Sequence, residues 1–396
     1  MQEGKFNVLL DAFWGSSGKG KTSAWLADRH SVTHVSSSNF PNAGHSVVFE
    51  DGWKFVAKAI PTAAALKKAK GTGMRCFVSP GSGFSPDQLL KEWLECGRPS
   101  LYVHDRASLV TEEHARRERE GADSTKHIAS TMQGSGAALS DKVLRKPDVQ
   151  LVGSNRSWLD VVRQRLVASG NAEAARELMD KIQIVPAHEF RSLTHGTIEA
   201  GSTWLHEGSQ GYALSIDHGS HYPECTSRNC TVQAAMDHMA VPPSLVGDVY
   251  LNLRTHPIRV GNVVEDGVTT GRSGGFYPDC REMTWEEVAA ESGMPDSEAA
   301  VLAERERTTV TKRIRRVCSF SFEGLKDAVR VNGATKLVLN FVQYVDWKDS
   351  GLKGGPEAFR RLSGKSREFI DRIEEAANLQ VALVGTGAAH DEMIWR

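Results

Sequence analysis

Cysteine is scarce and dispersed: Cys76, Cys96, Cys225, Cys230, Cys280 and Cys318 are the six among 396 residues, and the closest pair has four residues between them. That pattern fits neither a disulfide framework nor a zinc-ligand spacing, so the thiols are expected to be reduced. Long hydrophobic runs are missing, none approaching the ~18 residues that cross a bilayer, and Met1 to Asn7 form a polar start. A soluble cytoplasmic protein is expected, in the host cytoplasm if the source is viral. Charge of one sign is lacking too, with 48 Lys and Arg against 49 Asp and Glu, which excludes a global field for holding nucleic acid. The one basic cluster, Lys312, Arg313, Arg315 and Arg316, reads as a solvated helix face. Neither repeats nor Pro- or Ser-rich linkers divide the chain, so residues 1–396 are expected to form a single α/β domain with helical and loop insertions.

What is present is a globular composition, 40% hydrophobic and 24% charged with 36 glycines. Phe6 to Phe13 is a short apolar run that breaks at a Gly-rich turn, after which Thr22 to Arg29 reads as a helix. Further strand candidates are Arg75 to Ser79, Leu101 to His104, Val149 to Val152, Gln183 to Pro186, Gly247 to Leu253, Thr335 to Tyr344 and Gln380 to Gly385. Charged helical stretches alternate with them at Glu112 to Glu120 and Asp160 to Lys181, which predicts a large, mainly parallel central sheet with flanking helices. Gly261 to Pro278, with five glycines, reads as a mobile loop. Between the first strand and helix, Gly15-Ser16-Ser17-Gly18-Lys19-Gly20-Lys21-Thr22 satisfies G-x-x-x-x-G-K-[ST] in the context that motif needs. Its glycines let backbone N–H groups turn toward phosphate oxygens, and the helix N-terminus and lysine add positive potential. A nucleotide is therefore expected, but the motif alone does not name the reaction.

The extra lysine in Trp14-Gly15-Ser16-Ser17-Gly18-Lys19-Gly20-Lys21, followed by Pro41-Asn42-Ala43-Gly44-His45-Ser46, resembles the adenylosuccinate synthetase family, whose signatures are W-G-D-E-G-K-G-K and H-N-A-G-H-T. The resemblance continues in order through Ser130-Thr131, Glu207-Gly208-Ser209-Gln210-Gly211, Thr226-Ser227-Arg228-Asn229, Arg259-Val260-Gly261, Thr269-Thr270-Gly271-Arg272 and Gly385-Thr386-Gly387. It implies a P-loop-like ligase that phosphorylates O6 of a purine nucleotide and then displaces the phosphate with the amine of aspartate. It also implies that His45 supports charge on O6 with Gln210 nearby. Ser17, Gly18, Lys19, Gly20, Lys21, Thr22, Gly44, His45, Asn340, Gln343 and Gly387 are the positions implied for the nucleoside triphosphate. Ser16, Asn42, Ser130, Thr131, Gln210 and Thr226 are those implied for the purine monophosphate, joined by Arg145 across a homodimer interface. Thr269, Thr270 and Arg272, in a loop of about 261–278, are implied for aspartate. Mg2+ is the implied metal, held at Ser16 and Gly44 with substrate oxygens.

Two departures narrow the expectation. The family's catalytic aspartate is Ser16 here, and a serine cannot act as a carboxylate base, so the base lies elsewhere or the proton leaves through water. Asp11 is a candidate for that indirect role, or else a structural strand-end carboxylate. A small neutral Ser16 leaves room for a 2-amino group, and G-S-S-G-K-G is similar to the phage-type branch of the family that uses dGMP in place of IMP. Second, the family's T-K-L-D becomes Asn340-Phe341-Val342-Gln343. The Gln343 amide offers an acceptor and a donor that match adenine, so ATP is expected as phosphate donor in place of GTP. The expected activity is ligation of L-aspartate to C6 of dGMP with ATP through a 6-phosphoryl intermediate. An ordinary synthetase using IMP and GTP is the alternative, and a non-catalytic nucleotide- or nucleic-acid-binding protein is the alternative of another class.

Overall fold

The computed structural model describes residues 1–120, 125–308 and 310–396. Ten strands form one sheet: β1 (Phe6–Asp11), β2 (His34–Ser37), β3 (Arg75–Val78), β4 (Ser100–His104), β5 (Ile182–Val185), β6 (Trp204–Glu207), β7 (Val246–Arg254), β8 (Lys336–Asn340), β9 (Val381–Gly385) and β10 (Met393–Trp395). Their spatial order is β10-β9-β8-β7-β1-β6-β2-β3-β4-β5. Every neighbouring pair is parallel except β9 and β10. Strands covered by helices on both faces lose contact with water on both faces, and β1 is buried along its whole length. Phe6, Val8 and Leu10 pack into one apolar layer and Leu9 into the other, the period-2 alternation of a strand read from both sides. Among the described residues no helix is long and apolar enough to cross a membrane.

Helix α1 (Lys19–Arg29) begins three residues earlier than the sequence suggests, because Gly18, at φ 86°, turns the chain directly into it. Gly20 is required by what lies beside it: a Cβ there would stand 2.7 Å from the carbonyl oxygen of Ser46. The missing side chain lets the antiparallel hairpin His45–Val48/Lys54–Ala57 lie against the first turn of α1, which brings His45 to the phosphate loop.

Four segments differ from expectation. Val149 to Val152 forms turns with one bridging residue, Leu151 against Ser108, because only Val152 of the run is buried. The chain Asp160 to Lys181 is two helices, Ser157–Ala168 and Ala172–Lys181. Residues 261–278 contain a two-stranded hairpin, Val263–Glu265 with Val268–Gly271, and are not irregular throughout. At its turn Asp266 and Gly267 both have positive φ (49° and 77°), the backbone that an Asp-Gly pair favours between antiparallel strands. Finally, none of Lys312, Arg313, Arg315 and Arg316 lies on a helix: Arg316 opens a short strand, the others are in irregular chain, and Arg313, Arg315 and Arg316 are bonded to carbonyls or carboxylates.

Candidate active site

A cavity of about 440 Å³ opens at the carboxyl edge of the sheet, where chains leaving β1, β2, β6, β7, β8 and β9 converge. In open parallel sheets ligands bind in that crevice, since strand ends and helix N-termini face it together. Ser16, Ser17, Gly18, Lys19, Gly20, Lys21, Asn42, Gly44, His45, Ser130, Thr131, Gln210, Thr226, Asn340 and Gly387 all line it.

Asp11 closes β1 and organises the phosphate loop. One carboxylate oxygen accepts from the N–H groups of Phe13 (2.8 Å) and Gly15 (3.3 Å). The other accepts from the Ser17 hydroxyl and from Lys19 Nζ at 3.3 Å. Both oxygens are thus committed within the protein, which makes Asp11 the structural strand-end carboxylate. Lys19 also donates to the Gln210 carbonyl at 2.7 Å, so the loop is tied to the segment that carries Gln210. Lys21 donates to the carbonyls of Gly387 (2.7 Å) and Glu392 (2.9 Å), and its burial brings its pKa down to about 7. Ser16 stands at φ 52°, a left-handed backbone uncommon for a residue with a side chain. Its carbonyl accepts from Arg254 at 3.0 Å.

His45 Nδ1 donates to the carboxylate of Glu207, the last residue of β6. Burial alone pushes the Glu207 carboxyl up, but His45 and the hydroxyls of Thr62 and Ser23 outweigh it and leave its pKa below the usual value. An ionised Glu207 also accepts from the Thr62 N–H (3.0 Å) and hydroxyl (2.7 Å), so its position is over-determined. The carboxylate fixes the ring's orientation and tautomer, the usual task of an acidic partner behind a working histidine. Glu207 could have been suspected from its place in Glu207-Gly208-Ser209-Gln210-Gly211, but nothing in the sequence pairs it with His45.

Several expected residues stand outside the cavity lining. Thr22 is fully buried, its hydroxyl donating to Asn252 Oδ1 (3.0 Å). Asn340 lines the wall, yet its amide nitrogen is spent on the Ser17 carbonyl (3.0 Å) and the Thr22 hydroxyl (3.1 Å). Gln343 is buried and does not line the cavity, and its Oε1 has no hydrogen-bond partner among the described residues. Arg145 is exposed and away from the cavity. Thr269, Thr270 and Arg272 are exposed on the Val263–Gly271 hairpin and its exit, also outside it.

Part of the cavity lining is a cationic wall that lies apart in sequence from Thr269, Thr270 and Arg272. Arg305, Arg307, Thr308, Val310 and Arg315 line it; Thr309 lies outside the described residues. Arg313 donates to the carbonyls of Ala129 (2.7 Å) and Ser130 (3.2 Å), fastening this segment to the Ser130-Thr131 wall. Arg315 pairs with the buried Glu306 at 3.2 Å, and its Nε has no partner among the described residues. Glu306 also pairs with Arg254, whose guanidinium lies 4.0 Å from the ring centre of Phe341. The sequence signal was present in Arg313-Ile314-Arg315-Arg316, but it lay within a charge run that reads equally well as surface.

Mg2+, which the resemblance implies, would meet hard oxygen donors here. Gly44, Ser16 and Asn42 share the cavity, and Asn42 Oδ1 is buried without a partner among the described residues. Neutral oxygens of this kind suit an ion whose other ligands are phosphate oxygens and water.

Comparison with known proteins agrees with this geometry. A family model described as adenylosuccinate synthetase matches residues 8–353. The chain is 33% identical over 359 residues to the N6-succino-2-amino-2'-deoxyadenylate synthase of Salmonella phage PMBT28, with 86% of each chain covered. It is 30% identical over 384 residues to the enzyme of that name from Cyanophage S-2L, covering 96% of this chain and 90% of the relative. The solved structure of the Cyanophage S-2L succinoaminodeoxyadenylate synthetase, bound to dGMP and dATP as an energy donor, superposes with a TM-score of 0.75 at 28% identity, covering 99% of this chain and 95% of that one. The fully ligated adenylosuccinate synthetase from Plasmodium falciparum superposes at 0.73 with 18% identity, a likeness of fold, covering 98% of this chain and 99% of that one. With its phosphate loop, its convergent strand ends and nearly nine-tenths of its length matched, this chain belongs to the adenylosuccinate synthetase family of ligases.

Proposed function

We propose that this protein joins L-aspartate to C6 of dGMP with ATP, giving N6-succino-2-amino-2'-deoxyadenylate, ADP and phosphate. The observation that carries the choice of nucleotide is Ser16, left-handed on the cavity wall with Gln210 and Asn42 on the same cavity, where the family has a carboxylate. A carboxylate beside purine position 2 would crowd an amino group, whereas a serine leaves room and adds no charge. The phage relatives, and the dGMP in the solved S-2L structure, support the same choice.

In this reading the N1 proton of dGMP passes to solvent water as O6 attacks the γ-phosphorus of ATP, and ADP departs. The aspartate amine then attacks C6, and phosphate leaves with the former O6. His45, oriented by Glu207, directs its other ring nitrogen to O6 and offsets the charge that gathers there. Lys19, Lys21 and the first N–H groups of α1 hold the transferring phosphates. Mg2+, when bound near Gly44 and Ser16, offsets phosphate charge during transfer. The amino donor's carboxylates meet the Arg305–Arg315 wall, where Arg315 has an unspent N–H. A homodimer belongs to the same reading, with Arg145 reaching the partner's nucleotide; Val143 and Leu144 beside it, 75% and 62% exposed, support an apolar contact there.

Phosphate release with Mg-ATP and aspartate, run in parallel on dGMP and IMP with the product mass checked, tests the proposal. Turnover on dGMP should exceed that on IMP by about 100-fold, the scale set by one mispaired or crowded polar group. Preference for IMP would return the protein to the ordinary synthetase reaction. The nucleic-acid-binding alternative loses its support because Arg313, Arg315 and Arg316 are engaged by carbonyls and carboxylates.

The choice of ATP rests on Gln343. Its unpartnered Oε1 is an acceptor for adenine N6–H, while Nε2 can donate to adenine N1. Gln343→Asp should shift the ratio of kcat/KM values toward GTP by about 100-fold, because a carboxylate accepts from guanine N1–H and N2–H and can donate nothing to adenine N1. An unchanged ratio, measured with both triphosphates at saturating dGMP, would remove Gln343 from the base pocket.

A further inference from the structure

Beyond the cavity, at the far end of the His45–Val48/Lys54–Ala57 hairpin, two loops meet. His390 donates its backbone N–H to the Val48 carbonyl at 2.8 Å, and Val48 and Ala389 form an isolated parallel bridge. This contact brings Glu50, in the hairpin turn, beside His390 and Asp391, and one ligand atom from each lies within 4.8 Å of the others. His390 is 2% exposed, and its Nδ1 has no hydrogen-bond partner among the described residues. A buried ring nitrogen left without a partner is costly, so its position calls for something that occupies it. The two carboxylates converge on the ring, yet neither forms a hydrogen bond or ion pair with it among the described residues.

We propose that Glu50, His390 and Asp391 form a second divalent-metal site, separate from the catalytic ion, that takes a borderline transition metal such as Zn2+ or Co2+. One imidazole and two carboxylates with water completing the shell is the donor set such ions accept, and Mg2+ prefers oxygen alone. Glu50 is exposed in its turn and free to swing in, and Asp391 can leave its surface pair with Lys353. The location gives the site a consequence. The loop that carries His390 also carries Gly387 and Ala388 of the cavity wall, and Lys21 donates to the carbonyls of Gly387 and Glu392 on either side. An ion here would staple that wall to the hairpin bearing His45, whichever nucleotides the cavity accepts.

Chelator-treated full-length protein, free of nucleotide, is titrated with Co2+ and followed by visible absorption and calorimetry in millimolar Mg2+. One equivalent should bind with no intense sulfur charge-transfer band and be displaced by Zn2+ but not by Mg2+. Glu50→Gln and Asp391→Asn, both substitutions of accessible side chains, should each weaken binding about tenfold or more. The rise in melting temperature on adding Zn2+ should shrink in parallel. His390→Gln should abolish binding in a protein shown to be folded by circular dichroism. Unchanged affinity in Glu50→Gln and Asp391→Asn, a sulfur band, ready displacement by Mg2+, or no binding up to millimolar Co2+ would each overturn the proposal.

Discussion

His45→Asn is expected to lower kcat for aspartate-dependent phosphate release by about 1,000-fold while nucleotide affinities stay within about threefold, as for loss of a group that acts on charge only as it develops. Asparagine keeps a neutral hydrogen-bonding side chain of similar reach but cannot carry the positive charge that an imidazole beside Glu207 can. Glu207→Gln separates positioning from charge. The amide oxygen still accepts from His45 Nδ1, so the ring stays in place, but the negative charge behind it is gone. A fall of about tenfold in kcat is expected, with KM for both nucleotides unchanged. Because Glu207 also accepts from Thr62 N–H and Oγ1, folding of the Gln variant is checked by its melting temperature. If His45→Asn raises KM and spares kcat, the histidine binds substrate and does nothing further, and the assignment of charge support at O6 fails.

How far these groups could be read from the sequence depends on whether their chemistry is local. The phosphate loop was legible because strand, glycines and helix are consecutive, and the structure adds the role of Gly20, whose bare backbone admits Ser46. Two strands of the sheet centre were not legible. β2 is His34-Val35-Ser36-Ser37 and β6 is Trp204-Leu205-His206-Glu207, and neither has the apolar run or alternation that marks a buried strand. They are buried all the same, with part of their polar content paired: Ser36 Oγ and His206 Nδ1 are 2.9 Å apart, and Glu207 accepts from Thr62. Val149 to Val152 shows the converse, an apolar run whose pairing stops at the single Leu151–Ser108 bridge. The pairing of His45 with Glu207 spans 162 residues and has no sequence signal at all. On the amino-donor side, Thr269-Thr270-Gly271-Arg272 matches the expected motif in order and lies on a hairpin outside the cavity lining, a placement that sequence order does not reveal.

That placement makes the second large expectation a direct contest. Arg315→Lys should raise the aspartate KM by about 100-fold with little effect on ATP, because Lys retains the charge but loses the planar fork that grips a carboxylate through two hydrogen bonds. Lys also keeps a cation near Glu306, so the buried carboxylate is not stranded and the protein remains folded; alanine would leave Glu306 to Arg254 alone. Arg272→Ala, on an exposed residue that the cavity does not include, should leave the aspartate KM within about twofold, as for an ordinary surface change. Initial rates at varied aspartate, with dGMP and ATP saturating, distinguish the two. The opposite pattern, a high KM in Arg272→Ala and none in Arg315→Lys, would mean that the hairpin closes over bound aspartate. The 305–315 segment would then be a structural wall whose charges serve Glu306.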